Sequence, residues 1–337
     1  MKGFTIERKL AAYPLFVKDP YFSIWANSEE INSNYPIYWT GAVKPLKGYV
    51  EIDGKKLIFL GMADKEDKGL TQINIKTEGY ITECNFTSDI IDIKVEFISP
   101  LFIDDLETLS CPVCYMRYTA HPKIAYKQAK IVFEAEERLC YATEFDSERK
   151  EKVSASVMSF EGFESAFFGN GRQMLLSSAN DVYAADWGYW YVAGQRCFVR
   201  KEDRVYIVAE NDLNEKGFFM LGYDDIASID YFGRILPGYY FRNGKNISDA
   251  LQDSFNNAEN VYSRCLDYKD KYYKEWSPFG EDYVTMCNAS LIQSIGANKL
   301  VYDNQTNKTL FFSKECGSCG CIDTLDVTYP SAPLFLL

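Results

Sequence analysis

The feature that most constrains the fold of this chain is a change in hydrophobic periodicity near residue 245. Before that point, apolar residues alternate with polar ones or form short runs, as in residues 91–97 and 205–208. This pattern is typical of strands with a buried face. After it, Ile247, Leu251 and Phe255 begin a series at helical spacing. The sequence therefore predicts a mainly β domain over residues 1–245 and a helical region over residues 246–337.

Turn signals between the strands favour a large antiparallel β-sandwich. Asp53-Gly54 suits a tight two-residue turn, because the central positions of such a turn need positive φ. We therefore predict a hairpin over residues 50–60. Many short strands with turn signals between them are typical of a sandwich that closes over one core.

The helical region has recognisable ends. Asn246 is suited to cap a helix, with Asp249 three residues later in an approximate capping box. Pro278 and Gly280 end this helix, and a second helix and a hairpin over residues 300–312 follow. Two helices and a hairpin cannot bury both faces of a helical layer by themselves. We therefore expect apolar helix faces with too few neighbours, and a helical domain of which the chain holds only the start.

Charge and composition exclude several partner classes. The net charge of −12 repels phosphate backbones and anionic lipids, so we expect neither nucleic acid nor a membrane as partner. No apolar run reaches the roughly 18 residues of a membrane span, and the first 17 residues lack the pattern of a signal peptide. We expect a cytoplasmic protein with its ten cysteines reduced. Its expected partners are a small-molecule substrate and, as an open alternative, further copies of itself in a homo-oligomer.

Histidine and cysteine offer little catalytic or metal-binding chemistry. The single histidine, His121, lies before Pro122 at the end of a predicted strand. General acid–base work would therefore fall to carboxylates, tyrosine or lysine. Cys316, Cys319 and Cys321 could supply three thiolates to zinc, but no fourth ligand stands at matching spacing. A tight glycine-rich loop is the favoured interpretation, and we expect no metal and no cofactor.

Two groups of residues are candidates for a binding cleft. Trp39 and the pair Asp186-Trp187 could form a wall for an amide or a sugar, or could pack in the core. Glu315 and Asp326 flank the cysteine-rich loop and could converge on one cleft. Ordinary loop charge is the alternative for these two acids.

The tract over residues 311–337 resembles the glutaminase A family. Members carry a similar Phe-Ser-Lys-Glu stretch followed by Asp-Val-Thr-Tyr-Pro-Ser-Ala-Pro-Leu-Phe-Leu, as this chain does. Further tracts resemble the family in the same order, at residues 21–25, 38–41, 97–100, 186–188 and 232–240. The resemblance spans nearly the whole chain. It departs at Cys316, Cys319 and Cys321, where the family loop is richer in serine, asparagine and glycine.

The resemblance implies a supersandwich-like β domain followed by the first helices of an incomplete (α/α)6 toroid. It also implies hydrolysis of L-glutamine to L-glutamate and ammonia, with Glu315 and Asp326 as the catalytic acids. We expect a truncated chain to be inactive on its own. Two alternatives stay open, namely a carbohydrate-active protein related to six-hairpin glycoside hydrolases and a non-catalytic β domain. The residues assigned to substrate binding are Trp39, Asp186, Trp187 and Lys314.

Overall fold

Strands dominate the structure, as the periodicity predicts. The computed structural model describes residues 10–64, 67–143, 153–177, 184–314, 321–332 and 334. The strands in these ranges are β1 Tyr13–Asp19, β2 Phe22–Ala26, β3 Ile37–Tyr38, β4 Leu46–Ile52, β5 Lys55–Leu60, β6 Lys68–Gly69, β7 Thr71–Glu78, β8 Ile81–Thr87, β9 Ile91–Ile98, β10 Val113–Pro122, β11 Ala129–Glu136, β12 Val153–Ser159, β13 Glu164–Asn170, β14 Tyr189–Gly194, β15 Arg196–Lys201, β16 Val205–Asp212, β17 Lys216–Asp224, β18 Ile229–Tyr231, β19 Arg234–Leu236, β20 Asn298–Asp303 and β21 Lys308–Ser313.

Two large sheets form a sandwich. One has eight strands in the order β12-β13-β14-β17-β10-β9-β8-β7, and the other has six in the order β15-β16-β11-β4-β5-β6. Pairing is antiparallel throughout both sheets except between β5 and β6. A smaller sheet of β1, β2 and β3 and two hairpins, β18-β19 and β20-β21, complete the strand pairing among the described residues.

Aromatic side chains from the two large sheets meet in a shared core. Phe133 of β11 lies 6.0 Å from Phe219 of β17, and Phe59 of β5 lies 6.2 Å from Phe86 of β8, between ring centroids. All four belong to one buried apolar cluster. The predicted fold class, a large antiparallel sandwich followed by helices, is therefore confirmed.

The predicted hairpin over residues 50–60 is confirmed. Ile52 of β4 pairs with Lys55 of β5, which leaves Asp53 and Gly54 as the two turn residues. Their φ angles are +48° and +80°. Both positions thus use the left-handed region that a tight two-residue turn requires.

Four α-helices lie in the described ranges, namely α1 Leu106–Ser110, α2 Ile247–Trp276, α3 Glu281–Gly296 and α4 Leu325–Ser331. The capping box of α2 forms as predicted, with Asn246 accepting from the Ser248 and Asp249 amides and Asp249 accepting from Asn246. Gly280, at φ +101°, separates the short 3-10 turn after α2 from α3. None of the described helices is long and apolar enough to cross a membrane.

The expectation that the first helix would lack neighbours is wrong for α2. The side chains of strand β10 alternate between two apolar cores. Cys114 faces the sandwich interior, and Tyr115 belongs to a second apolar cluster. Leu251 and Cys265 of α2 are buried in that second cluster. The outer face of the eight-stranded sheet thus covers the helix, which helical periodicity alone could not reveal. The division into two domains at residue 245 stays a prediction.

Candidate functional site

A buried ion cluster joins the hairpin β20-β21 to the sandwich. Lys299 of β20 places Nζ 2.6 Å from Asp19 Oδ2 and 2.7 Å from Asp225 Oδ2. Burial alone would lower the pKa of Lys299, but the two carboxylates raise it above its ordinary value. The lysine is therefore held as a cation between two anions. Sequence analysis missed all three residues, because none lies in a motif and the partners are far apart in the chain.

Asp19 begins the turn between β1 and β2, here called the 19–21 turn after its residues. Its Oδ1 accepts hydrogen bonds from the backbone amides of Tyr21, at 2.9 Å, and Phe22, at 3.2 Å. The carboxylate therefore uses one oxygen to shape the turn and the other to hold Lys299. The local signal for this role is an acid directly before a proline at a strand end.

Three of the predicted binding residues meet at the 19–21 turn. Lys314 places Nζ 5.2 Å from the Tyr21 ring centroid, and the Trp187 ring packs edge-on against Tyr21 at 5.2 Å. Trp39 donates its indole N–H to the Pro20 carbonyl oxygen at 3.0 Å. The Tyr21 hydroxyl in turn donates to the Ser228 carbonyl at 2.7 Å. The turn is thus the point at which these separate sequence motifs converge.

The four residues predicted to bind substrate differ in how far their side chains are buried. Trp187 and Lys314 are only 2% and 5% exposed, so both contribute packing in this structure. Asp186 is buried as well, and its carbonyl oxygen accepts a 2.6 Å hydrogen bond from Asn170. Trp39 is half-buried. Of the four residues predicted to bind substrate, Trp39 is therefore the one with ring surface available to a ligand.

Hydrogen bonds between Ser313 and Asp323 join the two sides of the cysteine-rich loop at its base. The Ser313 amide donates to Asp323 Oδ1 at 2.9 Å, and the Asp323 amide donates to the Ser313 carbonyl at 2.9 Å. Ser313 also shares a 3.0 Å hydroxyl contact with Thr328 of α4. Asp326 is exposed in the first turn of α4. The other predicted catalytic acid, Glu315, lies outside the described residues.

A cavity of about 340 Å³ lies beside this loop base, between the small N-terminal sheet and the end of α3. Trp25 and Trp39 line it from one side, and Ala289 and Gln293 from the other. Ala297 also lines it, and its carbonyl oxygen accepts the Lys314 amide hydrogen at 3.0 Å. A backbone hydrogen bond therefore links the lining of the cavity to the start of the loop.

Cysteine contributes no metal centre in the described part of the chain. No group of three or more potential ligands of the types His, Cys, Asp and Glu comes together there. Of the three loop cysteines, Cys316 and Cys319 lie outside the described residues and Cys321 is exposed. The free thiols among the other described cysteines are Cys84, Cys111, Cys114, Cys140, Cys197, Cys265 and Cys287.

Comparison with known proteins assigns three consecutive segments. Residues 3–72 match a domain of unknown function (DUF4964), and residues 81–214 match a second one (DUF5127). Residues 280–337 match the glutaminase A six helical-hairpin domain. The 19–21 turn thus belongs to the first match, and its partners Lys299 and Lys314 belong to the third.

A relative supports the same assignment. The chain is 22% identical over 377 aligned residues to glutaminase A of Aspergillus oryzae, in an alignment that covers 96% of this chain. The chain spans 53% of the length of that relative. Taken with the three ordered segment matches, this similarity supports a glutaminase A-like family for the chain.

Proposed function

We propose that the protein is an amidohydrolase that converts L-glutamine and water to L-glutamate and ammonia. The observation that supports this most is the anchoring of Lys314, which lies within the six-hairpin match and packs on Tyr21 of the N-terminal match. The backbone amide of Lys314 is fixed to Ala297, beside the tryptophan-lined cavity. The chain therefore enters the loop that begins at Glu315 from a fixed point.

Carboxylates carry the proton transfers in this proposal, because the chain has a single histidine. Glu315 or Asp326 takes a proton from water as the water oxygen attacks the amide carbon. The carbon–nitrogen bond then breaks while a proton passes to the nitrogen, and ammonia leaves. The second acid orients the substrate or delivers that proton. The hydrogen bond from the Lys314 amide to Ala297 fixes the backbone immediately before Glu315.

Ammonia release from L-glutamine tests the proposal. It is measured with the 337-residue chain and with any longer product of the same gene, using L-asparagine as the matched control amide. We expect release from L-glutamine by at least one of these forms, with the shorter side chain of L-asparagine a poor substrate. Absence of release from L-glutamine in every form of the protein would rule the proposal out.

The second candidate function is carbohydrate hydrolysis. It is favoured by one specific observation, the uncharged lining of the cavity that holds Trp25 and Trp39. Release of reducing ends from neutral oligosaccharides, together with no ammonia from L-glutamine, would support this alternative. A protein with neither activity would support the third interpretation, a non-catalytic β domain.

A further inference from the structure

The cavity between the N-terminal sheet and α3 has the size and chemistry of a small-molecule site. Its volume of about 340 Å³ lies within the range of roughly 300–1,000 Å³ that is typical of ligand pockets. Small residues on α3 create the space, among them Ala289 and Gly296. Trp25 and Trp39 provide the largest lining side chains opposite them.

The indole rings can offer a ligand mainly carbon surface. Trp39 donates its N–H to the Pro20 carbonyl at 3.0 Å, and Trp25 donates its N–H to Ser23 Oγ at 2.8 Å. Both nitrogen atoms are therefore engaged inside the protein. A matching ligand needs an apolar face to pack on the rings.

Polar groups accompany this apolar surface. The Gln293 side-chain amide is exposed and has no hydrogen-bond partner among the described residues, so it can both donate and accept. Ser23 is buried, and its oxygen accepts from Trp25 while its own hydroxyl hydrogen has no acceptor in the described ranges. A matching ligand therefore carries hydroxyl or amide groups around its apolar face.

The absence of charge among the described lining residues distinguishes this cavity from a second one. None of the described residues lining it carries a charge. By contrast, a cleft of about 300 Å³ between α1 and α2 is lined by Asp105, Asp253 and Arg264 among other charged side chains. A zwitterionic amino acid would find ionic partners in that cleft and none in the tryptophan cavity. Burying an unpaired charge is costly, so the tryptophan cavity suits a neutral ligand.

We propose that the tryptophan cavity binds a neutral carbohydrate, with a pyranose ring packed on Trp25 and Trp39. A pyranose combines a face of C–H groups with hydroxyls at its edge, which are the two surfaces that the cavity can match. The Gln293 amide and the Ser23 hydroxyl are the polar partners of those hydroxyls. This inference does not depend on the glutaminase proposal, because it concerns binding at the cavity and no bond cleavage.

Calorimetric titration with maltose and cellobiose tests the proposal, with glucuronic acid as a charged control and 1-octanol as an apolar control. We expect at least one neutral disaccharide to bind, and both Trp25→Ala and Trp39→Ala to weaken binding at least tenfold. Trp25→Phe and Trp39→Phe should retain part of the affinity because a ring remains. Trp276→Phe is the matched control, since Trp276 stacks on Tyr272 in α2 and should leave binding unchanged.

Ala289→Leu provides a test that keeps both tryptophans. The larger side chain fills the cavity from α3, so we expect disaccharide binding to be lost while the thermal unfolding midpoint is retained. The proposal is overturned if no neutral sugar binds at millimolar concentration, or if Ala289→Leu binds as well as the wild type. Binding of 1-octanol without sugar binding also overturns it. None of these outcomes depends on ammonia release, so the two proposals fail separately.

Discussion

At the scale of single residues, the 19–21 turn connects the segments on which the functional proposals rest. Asp19 holds Lys299, Pro20 accepts from Trp39, and Tyr21 lies against both Lys314 and Trp187. The Asp19–Lys299 pair joins residues 280 positions apart in the chain. A local sequence pattern cannot identify a partner so distant in the chain. The sequence therefore predicted Lys314 and Trp39 as functional candidates but did not reveal the turn that both residues contact.

Lys299→Met should strongly destabilise the protein. The substitution keeps the aliphatic stem and removes the charge, which leaves Asp19 and Asp225 buried without their cation. Breaking a buried ion pair from one side costs about 3–5 kcal/mol. Urea unfolding measures the loss. The control is Lys308→Met on the exposed end of the same hairpin, which should change stability by less than about 0.5 kcal/mol. Equal stability of both variants would show that the ion cluster is not structural.

Asp224→Asn should stabilise the protein above pH 6 and have little effect below pH 4. Burial raises the pKa of Asp224 to about 6, well above its ordinary value. Between pH 4 and 6 the unfolded chain has lost this proton while the folded protein keeps it, so wild-type stability falls as pH rises through that interval. Above pH 6 the ionised group costs about 1–3 kcal/mol, which asparagine avoids.

Urea unfolding of wild type and Asp224→Asn measures this difference at about pH 3.5, 5 and 8, which lie below, within and above the interval. The amide oxygen of the introduced asparagine can still accept from the Ile226 amide, as Asp224 does at 2.9 Å. Asp203→Asn, an exposed site, is the control and should show no such pH dependence. A stability difference that is the same at all three pH values would contradict the assignment.

At the scale of elements, short sequence motifs predicted turns and helix ends correctly, whereas periodicity did not predict which elements pack together. The Asp53-Gly54 hairpin and the capping box of α2 were predictable because each depends on a few consecutive residues. The partner of α2 was not, because helical spacing identifies an apolar face and leaves open what covers it. The eight-stranded sheet supplies that cover by alternating its side chains between two cores.

The contact between α3 and β1 gives an element-scale prediction. A Cβ added at Gly296 would lie 2.4 Å from Val17 Cγ1, and Val17 is fully buried. Alanine favours a helix by up to about 1 kcal/mol over glycine, but overpacking costs about 1–3 kcal/mol. We therefore expect Gly296→Ala to destabilise the wild type. In a Val17→Ala background, which removes the clashing methyl, the same change should be neutral or stabilising.

A double-mutant cycle by urea unfolding measures this coupling. The wild type, both single variants and the double variant are compared under identical conditions. If Gly296→Ala has the same effect in both backgrounds, the two residues are not in contact, and the docking of α3 on β1 is wrong.

At the scale of the whole molecule, three matched segments together carry the proposed function. The sequence predicted the sandwich, the change to helices and the family, because periodicity and ordered motifs carry that information. It did not predict the ion cluster or the tryptophan cavity, because each brings residues near the N-terminus together with residues beyond position 280. The proposed chemistry is assigned to the tract over residues 313–326, and Lys314 of that tract contacts Tyr21 near the N-terminus.

The most direct test of this claim is the turnover number for ammonia release from L-glutamine by Glu315→Gln and Asp326→Asn. The account predicts that each substitution lowers turnover about 100-fold or more, because each removes a group that moves or positions a proton. Asp270→Asn, at an exposed acid of α2, should retain wild-type turnover. Wild-type turnover in both loop variants would contradict the account, since the reaction would then not use the carboxylates of this tract.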